Sequence, residues 1–129
     1  MRDLANNIGV ALALSPAVQS ATIKGNTIDT AGFGSVAFVI NTGAIASAGD
    51  FTVKVQESNT TTDGDFTDAV AADLTGDTLP ASVGADSSYK VGYVGSKRFV
   101  RVVATKNGGT SVAIGAVAVK GHADSRPVA

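Results

Sequence analysis

The apolar positions of this chain fall into short alternating runs separated by glycine, asparagine and aspartate. In Phe51–Ser58, Phe51, Val53 and Val55 alternate with Thr52, Lys54 and Gln56. A period of two sends alternate side chains to opposite faces, so this run predicts a strand of an antiparallel sheet with one solvated side. Ser35–Asn41 also reads as a strand, with Val36, Phe38 and Ile40 on one face and Ala37 and Val39 on the other. In Phe99–Thr105 both faces carry apolar groups: Val100, Val102 and Ala104 on one, Phe99, Arg101, Val103 and Thr105 on the other. That predicts a central strand covered on both sides, with the Arg101 stem laid over apolar surface and its guanidinium reaching an edge. Val112–Lys120 is again apolar on both faces, with a bend expected at Gly115.

The punctuation between these runs sets the expected organisation. Tyr89–Thr110 reads as a β-hairpin turning at Gly95-Ser96 and ending at Gly108-Gly109, since glycine reaches positive φ without steric cost. Two short β pieces flank Gly25-Asn26, and Phe66–Leu74 reads as a short irregular strand anchored by Phe66, Val70 and Leu74. Residues 42–50, 59–65 and 75–88 read as loops. At the N-terminus Leu4, Ile8 and Leu12 recur at helical spacing, and Pro16 would stop any helix there. The expected layout is an N-terminal arm over 1–20, a β domain over 21–122 and a flexible tail over 123–129. About seven short strands with turns between them are the pattern of an all-β antiparallel sandwich; a jelly roll with an extended N-terminal arm is the expected topology.

Composition changes this picture in two respects. Aromatics are 5% of the 129 residues and tryptophan is absent, so the core must be built from valine, alanine and isoleucine. That implies a thin core and some reliance on neighbouring subunits. The net charge is −1 and the pI about 5.6, which argues against a general nucleic-acid binder. Charge is unevenly placed. Residues 50–86 hold eight acidic groups and one lysine, while 87–129 hold seven basic groups and one aspartate. The two halves are therefore expected to complement each other, within the domain or between subunits, through Lys97, Arg98 and Arg101 on one side and Asp63 and Asp65 on the other. No run is long enough to span a membrane as a helix. Asp3 and Asn6-Asn7 argue against reading Ile8–Leu14 as the apolar part of a signal peptide. With no cysteine, disulfides and thiolate metal sites are excluded.

Candidate chemistry is sparse. Asp63, Asp65 and Asp68, with Glu57 upstream, have oxygen ligands at a spacing that could hold Ca²⁺, but the loop lacks the full twelve-residue pattern and its closing glutamate. Turn-forming aspartates around a glycine explain it better, so no metal is expected. Gly92–Lys97 has the wrong spacing for a phosphate loop. His122 is the only histidine and lies near the C-terminus, a poor place for a catalytic triad. Lys97, Arg98 and Arg101 beside Tyr93 and Phe99 could contact single strands, though the aromatics read better as core. The expectation is a protein with no catalytic residues and no cofactor.

Five segments, in order, carry a resemblance: MRDLANNI, GNTIDTAGFGSVAFVINTG, KVQESNTTTDGDFTDAVAADLTG, YKVGYVGSKRFVRVV and GHADSRP. Together they resemble small head structural proteins of tailed bacteriophages, some of which are capsid decoration (cement) proteins. The resemblance spans nearly the whole chain and is most specific in QES…DF…A-DL and GSKRFVRVV. It implies a β-sandwich, made in the bacterial host cytoplasm, that binds the outside of the major capsid protein shell. It also implies self-association as a dimer or higher homo-oligomer, and no nucleic-acid or membrane partner. On this reading the arm residues Leu4, Ile8, Leu12, Leu14 and Val18 are expected to touch the shell. Deleting residues 1–18 would then leave a folded domain that no longer binds capsids. Two other functions fit a small β protein: a head–tail connector or minor tail protein, and a jelly-roll carbohydrate-binding module using Tyr89 or Tyr93.

Overall fold

The computed structural model describes residues 1–128. Ten strands form two antiparallel sheets packed face to face: β1 (Gly9–Gln19), β2 (Ile23–Lys24), β3 (Ile28–Asp29), β4 (Phe33–Ala46), β5 (Asp50–Ser58), β6 (Thr67–Asp68), β7 (Leu74–Gly76), β8 (Ser88–Tyr93), β9 (Phe99–Gly108) and β10 (Ser111–Ala123). The first sheet runs β1-β10-β4-β8-β7 and the second β2-β9-β5-β6, with β3 also pairing β9. If β2 and β3 count as one broken strand and β7 as an addition, eight strand positions remain. One sheet then holds the first, eighth, third and sixth, and the other the second, seventh, fourth and fifth. This is the jelly-roll order.

The inward faces carry the alternation legible in the sequence. Phe38 and Ile40 of β4, Phe51 and Val55 of β5, Val91 of β8, Val100 and Val102 of β9 and Val112 of β10 are fully buried between the sheets. Each such side chain contributes about 1.5–3 kcal/mol by leaving water. β9 lies inside its sheet, between β5 and the β2/β3 pieces, as its two apolar faces predict.

Three expectations are corrected. Residues 9–19 are neither helical turns nor a free arm but β1, the edge strand beside β10, paired from Gly9↔Lys120 to Gln19↔Val112 with two slips of register between. Its Ala13 and Leu14 lie in the core at 0% and 1% exposure. The turn after β2 fixes it from the other side: Gly25 N–H donates to Val102 O, while Asn26 donates through its backbone to Ala13 O and through Nδ2 to Leu12 O. A Cβ on Gly25 would lie 2.4 Å from Ala13 O, so only glycine lets this turn bridge the two sheets. What precedes β1 is a short segment, residues 1–8, with one 3-10 turn at Ala5–Asn7.

Tyr89–Thr110 is not a hairpin. β8 pairs with β4 and β7, β9 with β5, β2 and β3, so the chain crosses between sheets at Gly95-Ser96. It crosses again at Gly109 (φ +68°) on its way to β10. The boundaries of the last strand and the first loop also shift. β10 continues to Ala123, β4 continues through Thr42 to Ala46, and beyond β10 Val128 N–H donates to Asn6 O. Of the expected tail, Ala129 lies outside the described residues.

Candidate functional site

The two outer faces of the sandwich differ in chemistry. On the β9–β5 sheet the outer face is charged and internally paired. Arg101 of β9 stands opposite Gln56 of β5. Its Nε and Nη2 donate to Gln56 Oε1 at 2.9 and 2.8 Å, and its Nη1 to Asp63 Oδ1 at 2.7 Å. The loop that carries Asp63 folds over this face and places the Phe66 ring 4.1 Å from the guanidinium carbon. Arg101 is consequently buried, with its plane stacked and its donors satisfied; its guanidinium, expected at an edge, lies instead in mid-sheet because the Asp63 loop closes over it. Lys24 of β2 reaches the same carboxylate at 2.9 Å, so Asp63 serves two cations, and Lys24 first and Arg101 second hold its carboxyl below the usual range. Asp68 meets Gln56 and Lys54, and Arg98 grips Asp29 with two contacts of 2.8 Å. The Arg98 fork, chiefly, brings Asp29 down to about 2.

These contacts decide where the sequence-derived candidates fall. Arg98, Arg101 and Asp63 are all engaged within the domain. Asp65 accepts from Thr60 Oγ1 at 2.6 Å, and Lys97 lines a small polar hollow with Glu57 and Asp65. The aspartates at 63, 65 and 68 turn to separate partners, and among the described residues no three His, Cys, Asp or Glu side chains converge on a metal-sized space. His122 is exposed, bonded through Nδ1 to Ser35 Oγ at 2.9 Å. Tyr93 is buried and its hydroxyl donates to Glu57; burial first, and that carboxylate second, push it up to about 12. Tyr89 packs against the core and its hydroxyl accepts from Gly84 N–H at 2.9 Å. Neither tyrosine is a free platform for a sugar, which removes the feature a carbohydrate-binding site most needs.

The outer face of the β1-β10-β4 sheet is apolar. Directly opposed residues share a face. The register places Leu12, Val117 and Val39 in one row across three strands, and Val10, Val119 and Ala37 in the next. Lys90 and Gly92 of β8 end the two rows. No charged side chain interrupts them before Lys90. Val10 is 65% exposed, Leu12 51% and Val18 70%, so three of the most exposed large apolar side chains of the protein lie on β1. Beside them Leu12, Pro16, Val18, Gly43, Ala113, Gly115 and Val117 line a trough of about 490 Å³. Of the five residues expected at the shell, the structure sets Leu12 and Val18 on this face and Leu4 and Ile8 ahead of the strand. It buries Leu14, which is therefore no contact residue. The sequence held the signal for this face in the two-sided apolarity of Val112–Lys120. The partners in β1 and β4 could be added only from the register.

Among the described residues no helix is long and apolar enough to cross a membrane. The sequence matches no protein-family model and no curated protein. The fold is shared with a prophage-derived protein of known structure. "SPBc2 prophage-derived protein YomS" superposes with a TM-score of 0.56 over 88% of this chain and 92% of that one, at 12% identity. A chain from "Structure of infectious bursal disease virus Gx strain" has a TM-score of 0.49 at 14% identity. It matches 93% of this chain, which spans about a third (34%) of that viral one. At these identities the likeness is one of architecture: this chain is an antiparallel β-sandwich of the kind seen in the prophage-derived protein.

Proposed function

We propose that this chain is a structural component of a tailed-phage virion, a decoration protein that binds the outer surface of the major capsid protein shell and stabilises the head. The observation that carries this reading is the division of the surface. Buried side-chain polar atoms among the described residues all have partners. The ion pairs are closed within the domain, no three His, Cys, Asp or Glu side chains converge among the described residues, and the outer face of β1, β10 and β4 carries rows of apolar side chains. Such a surface suits permanent assembly rather than turnover of a small molecule. The sequence resemblance to phage head proteins supports the same reading. Leu4, two-thirds exposed, and Ile8 lie in the segment ahead of β1 and are proposed to touch the shell together with nearby loops. Each contact is small, and repetition around a symmetric shell raises the total affinity.

The test is direct addition. Purified protein is mixed with shells of the encoding phage that lack it, and the shells are pelleted and then heated. Saturable co-sedimentation with a higher rupture temperature is expected. Protein left in the supernatant at every concentration would overturn the proposal.

A further inference from the structure

We propose that the apolar outer face of the β1-β10-β4 sheet pairs with the same face of a second copy, forming a two-fold dimer centred near Val117. The inference uses the apolar face that also supports the virion reading, but it does not require that reading to hold.

Three strands at normal spacing over the span from Val10 to Val18 present on the order of 400 Å², apolar except at Ser15 of β1 and Asn41 of β4. A monomer's largest apolar patch is about 300–600 Å² and is often functional. With the rim of Asn41, Lys90 and Ser35 added, each partner can cover about 600 Å², the lower end of what stable interfaces bury.

Four features favour a second copy over another partner. A two-fold interface brings one patch against itself, and a patch without charge meets no like-charge penalty on doing so. The relief is also self-complementary. Val10, Leu12 and Val18 stand out from β1 as a ridge, and the trough beside them has small residues, Gly43, Ala113 and Gly115, along its lining. Turned about the two-fold, the ridge of one copy seats in the trough of the other. The edge of β1, by contrast, is a poor site for adding a strand. Pro16 offers no N–H, and the pairing slips between Leu12 and Leu14 and again between Leu14 and Ala17. The ion pairs around Asp63 lie on the opposite face; on this face Lys90 stands only at the rim, beyond β4.

Sedimentation velocity of the full chain from about 1 to 100 µM, in low salt and in about 1 M salt, tests this. A species of twice the 12.8 kDa chain mass is expected, equally stable in both salts. Leu12→Lys and Val39→Lys should each weaken it by more than about 100-fold. Leu12 is exposed and Val39 half-buried, so the monomers should keep the wild-type circular dichroism. Val70→Lys, at an exposed apolar position in the connection between β6 and β7, should leave the dimer unchanged. Three results would overturn the proposal: a monomer at all concentrations, a dimer indifferent to both face substitutions, or a dimer dispersed by salt and by Lys97→Glu. A chain that is monomeric alone but loses shell binding on Leu12→Lys would assign the face to the shell instead. Because free protein is used, failure of the dimer and failure of the virion reading remain separate outcomes.

Discussion

Leu12 and Leu14 occupy the same strand two positions apart, yet one faces water at 51% exposure and the other lies in the core at 1%. Strict alternation would put both on one face; the register slip between them turns Leu14 inward beside Ala13. The sequence carries no local mark of that bulge, which is why Leu14 reads as a contact residue until its partners are known. Leu14→Ala should cost about 2–5 kcal/mol in urea unfolding, and Leu12→Ala within about 0.5 kcal/mol. Equal costs would contradict the placement of β1. Arg101 was legible only in part: its apolar neighbours placed it on a covered strand, while Gln56, Asp63 and Phe66, which enclose its guanidinium, come from the fold. Arg101→Lys keeps the charge but cannot bridge Gln56 and Asp63 while stacking on Phe66, and it should lose about 1–3 kcal/mol. Acid sensitivity follows from Asp29 as well. Its carboxyl sits near 2 in the folded protein against 3.8 otherwise, so between these values the unfolded chain binds more protons. The stability it contributes is thus present above about pH 4 and is lost as pH falls toward 2. The effect is modest, since Arg98 and Asp29 are 57% and 46% exposed. Melting temperatures from pH 5 to pH 2 should fall less for Asp29→Asn than for wild type.

At the scale of elements, strands with one wet face were the easiest to read. β5 appears where its alternation put it, and β9 is interior as its two apolar faces required. The connections were harder. A glycine turn looks the same whether the next strand pairs with the last or crosses to the other sheet, and only the long-range pairing of β8 with β4 decides. β1 was obscured for a related reason: Leu4, Ile8 and Leu12 match a helical period, while Ile8, Val10 and Leu12 match a strand equally well. Its position now reverses the expected result of truncation. Removing residues 1–18 strips the edge of β10, takes Leu14 from the core and frees the carbonyls that hold the Gly25-Asn26 turn. The truncated chain should lose its cooperative thermal transition and aggregate. A shortened protein that melts within a few degrees of the full chain would show that β1 is dispensable, as an arm would be.

As a whole the molecule is a jelly roll with one charged, self-paired face and one apolar face, in which most consecutive strands are joined by crossings between the sheets. The jelly-roll class was within reach of strand counting and turn spacing. The contrast between faces was not, because it depends on which strands become neighbours. That contrast supports an assembly role, and a decoration protein must be present in proportion to the shell it covers. The most direct measurement is therefore its copy number in purified particles, by quantitative mass spectrometry against the major capsid protein. The account predicts a ratio within a few-fold of one. A handful of copies per particle would place the protein at the neck or tail, and its absence from particles would contradict the virion role altogether.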